Sequence, residues 1–165
     1  MTEQSNISNQ PSVEDKLKNT LSGDTLDNAL DFVAHLRVIG MIPEDTRFFY
    51  KGEHTCIIIS FQHDEFPCGY WGVYDCPVEE YDGFPLDENI KEFARANVKK
   101  CDKCGGGGCG HENMGANKMI FGQYYEEVCS SECQFHAPES EALENIKKLM
   151  DYWKLIIDEG KYKGR

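Results

Sequence analysis

The chain has 165 residues and a mass of 18.8 kDa, the size of one ordinary domain, and its apolar content of 40% can build a core without disulfide support. No apolar run reaches the roughly 18 residues of a membrane span, and 17 bases against 29 acids leave a net charge of −12 that repels phosphate backbones. Neither nucleic acid nor a membrane is therefore expected as a partner, and the polar N-terminus, which lacks a signal-peptide layout, points to the cytoplasm.

Residues 1–12, rich in Ser, Asn and Gln, are expected to form a disordered tail, followed by a short helical turn through Val13–Leu21. A helix is predicted from Asp24 or Thr25, with Leu26, Ala29, Leu30, Val33 and Arg37 at helical spacing, Ala34 and Leu36 widening the stripe, and Gly40 as its stop. Three strands follow. They are Arg47–Tyr50, His54–Phe61 and Tyr70–Tyr74, joined by connections too short for a parallel crossover, so an antiparallel meander is predicted. Thr55, Ile57, Ile59 and Phe61 share one face of the middle strand, and Cys56, Ile58 and Ser60 the other.

Asp87 is placed to cap a helix whose stripe is Ile90, Phe93, Ala94 and Val98, ending near Lys100. The longest helix is predicted over Pro138–Glu159, with Leu143, Ile146, Met150, Trp153 and Ile157 buried. The fold class expected is α+β: a small antiparallel meander packed with two or three helices and a cysteine-rich metal knuckle. A single domain spans 13–160, with the knuckle at 101–133 and a basic tail at 161–165.

The eight cysteines are unevenly spread. Cys56, Cys68 and Cys76 stand apart. Cys68 and Cys76 bracket one strand and lie on the order of 25 Å apart, beyond disulfide reach. The remaining five crowd one region. Cys101-Asp102-Lys103-Cys104 has the C-x2-C spacing that lets two thiolates bind one ion, and four glycines follow before Cys109 and His111. Cys129 and Cys133 return after the apolar stretch Lys118–Phe121. A tetrahedral structural zinc held by Cys101, Cys104, Cys109 and Cys129 is the favoured set, because soft thiolates at compact spacing suit zinc and four of them leave no open position for water. Cys133 in place of Cys109, or His111 in place of one thiolate, are the alternatives.

From Asp64 to Glu92 run nine acids, one base (Lys91) and six aromatics: Phe66, Tyr70, Trp71, Tyr74, Tyr81 and Phe84. Acids beside aromatic faces suit a neutral or cationic ligand through cation–π attraction, which makes Tyr70, Trp71 and Tyr74 the candidate ligand-binding residues. Core aromatics followed by a solvated acidic loop is the plainer alternative, and Tyr81–Pro85 the candidate flap. No catalytic set emerges, since His35, His54, His63 and His136 have no spaced partners.

Leu30-Asp31-Phe32-Val33 with Gly40-Met41, Lys51-Gly52, Phe84-Pro85-Leu86-Asp87-Glu88, the Cys101/Cys104 pair, Phe121-Gly122 through Val128-Cys129, and Leu143-Glu144 with Lys147-Lys148-Leu149 together resemble a group of small bacterial proteins of unassigned function. The resemblance spans about Leu26 to Ile157. It implies a stand-alone bacterial cytoplasmic protein and cysteine at position 129 more regularly than at 133, but no reaction.

The function expected is thus a non-enzymatic binding module with a structural zinc site, recognising a small molecule or a protein. A thiol-dependent redox enzyme using Cys101/Cys104 is the alternative. A nucleic-acid zinc module, suggested by Arg95, Lys99, Lys100 and Lys103, is the second alternative.

Overall fold

A computed structural model of the chain describes residues 11–76, 78–81, 83–102 and 115–162. Ser12 opens helix α1 (Val13–Thr20) through a capping box, its hydroxyl accepting from the Asp15 N–H while the Asp15 carboxylate accepts from the Ser12 N–H. Helix α2 (Gly23–Val38) buries Ala29, Phe32, Val33 and Leu36, whereas Arg37 and Ala34 of the predicted stripe are exposed. Arg37 instead grips Glu14 of α1 through Nε and Nη2, at 2.6 and 3.0 Å, and holds that carboxyl below its ordinary pKa.

Seven strands follow, interleaved with two more helices. They are β1 (Ile42–Glu44), β2 (Arg47–Tyr50), β3 (Glu53–His63), β4 (Phe66–Cys76), β5 (Val98–Lys100), β6 (Ala116–Ile120) and β7 (Gln123–His136). Helix α3 (Glu88–Ala96) lies between β4 and β5, capped by the Asp87 carboxylate on the Asn89 N–H at 2.9 Å, and α4 (Ser140–Asp158) follows β7. The sheet is antiparallel throughout, in the order β1-β2-β3-β4-β7-β5, with β6 also on β7. No helix among the described residues is long and apolar enough to cross a membrane.

The α+β class and the antiparallel meander are present, but the layout is larger than the sequence suggests: four helices rather than two or three, and a sheet extended by β5, β6 and β7. Val98 does not continue the α3 stripe. Asn97 caps the helix, its side-chain amide donating to the Phe93 carbonyl, and Val98-Lys99-Lys100 turns into a strand on β7. The long strand β7 escapes a periodicity search because Glu127 and Glu132 adopt left-handed backbone (φ 53 and 47°), and each such bulge reverses the in–out alternation.

All four helices pack on one face of the sheet. There Cys56 and Ile58 of β3, Trp71 and Val73 of β4, and Cys133 and Phe135 of β7 meet the apolar stripes of α2 and α4. Trp71 packs against Phe32 at 6.2 Å between ring centroids, and Phe135 stacks on Phe93 of α3 at 5.1 Å. The start of β4 is locked to the α1–α2 connection, where Ser22 donates to the Cys68 carbonyl.

Gly69 makes that approach possible. It has φ +79°, and a Cβ there would lie 2.1 Å from the Thr20 carbonyl oxygen. Gly69→Ala must therefore move backbone against backbone and is expected to destabilise the fold by about 2 kcal/mol or more, read as a lowered urea midpoint with an unchanged slope.

Candidate functional site

Two places in this architecture gather side chains with chemistry to offer. The first is the corner where β5, β6 and β7 meet. Val128 of β7 is flanked by Lys100 of β5 and by Ala116 of β6, and the Cys101 N–H donates to the Glu127 carbonyl at 2.7 Å. Gly115 lies against the same spot, a Cβ at that position falling 3.2 Å from Cys101 Cβ and 2.9 Å from Glu127 Cα. Chain positions 101 and 115 thus come together two residues from Cys129, and both Cys101 and Cys129 are half-buried.

Cys133 is elsewhere. It is fully buried on the helix side, and its thiol donates to the Ala94 carbonyl of α3 at 3.3 Å. The C-x3-C spacing suggested one site for Cys129 and Cys133, but the left-handed Glu132 between them sends the chain into the core. Cys104, Cys109 and His111 lie outside the described residues, and among the described residues no three His, Cys, Asp or Glu side chains gather as metal ligands. Cys56 and Cys76 are core residues, burial pushing the Cys56 thiol up to about 12, and Cys68 is exposed.

The second place is the sheet face opposite the helices. Directly opposed residues of antiparallel strands share a face, so the register builds this surface in rows. Glu44, Arg47, Ile57, Tyr74 and Gln134 form one row; Ile59, Gly72 and His136 form the next. Phe61 and Tyr70 form the third, and His63 with Phe66 closes the β3–β4 hairpin. Phe61 and Phe66 remain 41% and 43% exposed, and no helix among the described residues covers them. Their rings lie 4.8 and 5.3 Å from that of Tyr70, giving a continuous aromatic step.

Gly72 shapes the centre of this face. A Cβ there would meet the Tyr74 ring at 2.9 Å and its hydroxyl at 3.2 Å, so the ring of Tyr74 lies along the sheet over the glycine. From that position Tyr74 Oη reaches Tyr70 Oη at 3.2 Å and His136 Nδ1 at 3.5 Å, while Tyr70 Oη also bonds His136 Nδ1. Burial, and then the hydrogen bond with Tyr74, raise the Tyr70 pKa. Burial, and then the nearby Lys99 ammonium, lower that of His136.

Of the three residues expected to bind a ligand, Tyr70 and Tyr74 are thus brought together, whereas Trp71 points to the other side and is 1% exposed. Of the acids that suggested a cationic ligand, Glu65 stays at the edge of this face, 3.9 Å from His63 Nδ1, and three others are engaged elsewhere. Glu79 accepts from the Tyr81 hydroxyl at 2.8 Å, Glu80 pairs with Lys91 at 2.6 Å, and Glu88 pairs with Arg95 at 2.8 Å. Glu79, Glu80 and Tyr81 instead line a separate cavity of about 780 Å³ with Pro85, Met119 and Phe121. The predicted flap is anchored at Tyr81, whose N–H donates to the Tyr152 hydroxyl and whose ring packs on Trp153; Asp82 within it lies outside the described residues.

Sequence reasoning missed Phe61 and His136 as members of the face. Residue parity alone would have separated Trp71 from Tyr70 and Tyr74. The distant pairing that imports His136 leaves no local signal. Searches of family models, of curated proteins and of solved structures found no match to this chain.

Trp71→Ala should destabilise the protein by about 3–5 kcal/mol, and Phe61→Ser by less than about 1 kcal/mol, since one ring is core and the other is half in water. Paired urea titrations check the contrast. In an NMR titration the His136 midpoint should fall below that of an unfolded peptide, and Lys99→Gln should raise it. The folded pKa being the lower, its stabilising contribution is present above the unfolded value and is lost as pH falls through the folded one.

Proposed function

We propose that this protein is a non-enzymatic binding module that engages its partner through the open face of its sheet, with one structural zinc ion fastening the neighbouring corner. The observation that carries the reading is the uncovered, continuous aromatic step of Phe61, Phe66 and Tyr70, with Tyr74 beside it, on the face opposite the helices. Contiguous exposed apolar surface on a small domain marks an interaction site, and a sheet of several paired strands is a rigid platform for one.

For the metal, Cys101, Cys104, Cys109 and Cys129 remain the proposed ligands. The meeting of Cys101 and Gly115 beside Cys129 supports this set, because it closes the cysteine- and glycine-rich loop on itself at that point. The core position of Cys133, with its thiol on the Ala94 carbonyl, supports leaving it out. Four thiolates make a closed site, so the ion's work is to fasten β5, β6 and β7 together rather than to activate water.

The thiol-enzyme alternative has less support. A nucleophilic cysteine gains its low pKa at a helix N-terminus or beside a cation. Cys101 follows a strand instead, with its N–H committed to the Glu127 carbonyl.

Metal analysis together with thiol counting tests this reading. Protein purified without added metal should carry about one zinc per chain, and its cysteines should resist alkylation until a chelator is added. Cys101→Ser and Cys129→Ser should lose the metal, while Cys56→Ser, Cys76→Ser and Cys133→Ser should retain it. Metal-free protein of full stability would overturn the structural zinc, and a rapidly alkylated Cys101 would favour the enzyme.

A further inference from the structure

Among the described residues three cysteines are fully buried, and neither the proposed zinc nor the open face uses them: Cys56 of β3, Cys76 of β4 and Cys133 of β7. Two of the three oppose each other. Cys76 and Cys133 are register partners on the antiparallel β4–β7 pair. Opposed residues of such a pair have Cα atoms about 4.5–5.5 Å apart and Cβ atoms at a similar spacing. A disulfide needs about 4.4–6.8 Å between Cα atoms and about 3.5–4.5 Å between Cβ atoms. The ladder therefore holds these two residues at bridging range.

The backbone of both strands arranges this pairing. Tyr74 opposes Gln134, so an unbroken ladder would set Asp75 against Cys133. Instead Asp75 is left-handed (φ 59°), its N–H donates to the Ser131 hydroxyl at 3.3 Å, and Cys76 takes the place opposite Cys133. On β7 the residue before Cys133, Glu132, is left-handed as well (φ 47°). Each cysteine is thus delivered to the core by a strained acid just ahead of it. Burial, with both residues 0% exposed in the layer under the helices, puts them on one side of the sheet. Cys56 is less well placed. It opposes Phe48 on one side, and continuing the register of Ile57 with Tyr74 sets it against Asp75 on the other.

We propose that Cys76 and Cys133 form a reversible cross-strand disulfide when the protein meets a peroxide. One of the two, as its thiolate, attacks hydrogen peroxide; the O–O bond breaks, a sulfenic acid forms and water leaves. The sulfur of the other then displaces the hydroxyl of that sulfenic acid. The S–S bond forms, and the proton given up leaves with the hydroxyl as a second water. Two thiols lose two electrons in all, and one peroxide is reduced to two waters.

Burial gates the reaction. The thiolate is the nucleophile, and a thiol in apolar surroundings resists losing its proton, so oxidation waits on local opening. The Cys133 thiol donates to the Ala94 carbonyl of α3, which also accepts from the Asn97 N–H at 3.0 Å. Turning the sulfur toward Cys76 therefore strands no carbonyl. Once made, the bond ties β4 to β7 at the residue that also carries Val98 of β5, so three strands are fastened at one point.

Hydrogen peroxide is the probe, applied to the full zinc-replete chain with and without urea well below the unfolding midpoint. Alkylation in denaturant and peptide mapping then follow each cysteine separately. The expected product joins the peptides that hold Cys76 and Cys133, forms roughly tenfold faster in urea and is reversed by dithiothreitol. It should unfold at a higher urea midpoint, because the bridge restricts the unfolded chain. Cys56→Ala should form the same bridge, and mapping of the wild-type chain decides the matter if that variant fails to fold.

Recovery of Cys76 and Cys133 as alkylated thiols after the urea treatment would overturn the proposal. So would a bridge from either to Cys56, oxidation of one to a sulfinic acid without a bridge, or a bridged form with a lowered midpoint. Neither the zinc ligands nor the open face takes part in the bridge, so the binding-module reading and this inference can fail separately.

Discussion

The constraint on which the rest of the structure depends is that one strand, β7, must satisfy three neighbours. Along its 14 residues it pairs with β6, β5 and β4, and at Val128 it is paired on both edges at once. A regular strand could hold those partners only in a flat and continuous ladder. Glu127 and Glu132 break it instead, at a cost of about 1–2 kcal/mol for each left-handed non-glycine residue. The second break is offset by an ion pair, since Glu132 is 6% exposed and its carboxylate meets Lys118 of β6. Removing one partner of such a pair strands a buried charge, so the bulge and the β6 hairpin stand or fall together.

Those two breaks assign three different environments to residues that are close in sequence. Cys129 stays at the half-buried corner beside Cys101 and Gly115, Cys133 enters the core under α3, and His136 emerges on the open face. The corner and the open face are therefore joined through a single strand and its neighbour β5, which ends one residue before Cys101. The zinc proposed for the corner would also hold the register of β5 on β7. Corner and open face thus share one strand, so a change at either end of β7 reaches the other through its register.

Much of the helix layer was legible in the sequence because its signals are local. Asp87 caps α3 as its position suggests, and every residue of the predicted α4 stripe is buried. The β2–β3–β4 meander was legible for the same reason, through alternation and short turns. What stayed hidden depends on pairing between distant segments. The polar run Cys129-Ser130-Ser131-Glu132 has no strand period once its phase is reversed, and Val98 fits a helical stripe until a β7 edge is available to it. The candidate face was half legible: Tyr70 and Tyr74 were named, but with Trp71 of opposite parity and with acids that adjacency in sequence made look like neighbours.

Gly72 shows how one missing side chain shapes the open face. A glycine in the middle of a strand, here between Ile59 and His136, forgoes side-chain packing and costs conformational entropy. Any side chain there would collide with the Tyr74 ring and with the Phe135 carbonyl oxygen, 3.0 Å from the Cβ position, and would lift the ring off the sheet. The two phenols would then lose their common approach to His136 Nδ1. The helix side of the same strand has its own glycine, Gly69, whose missing Cβ admits the Thr20 carbonyl, so each of these two glycines of β4 is set by what lies against it.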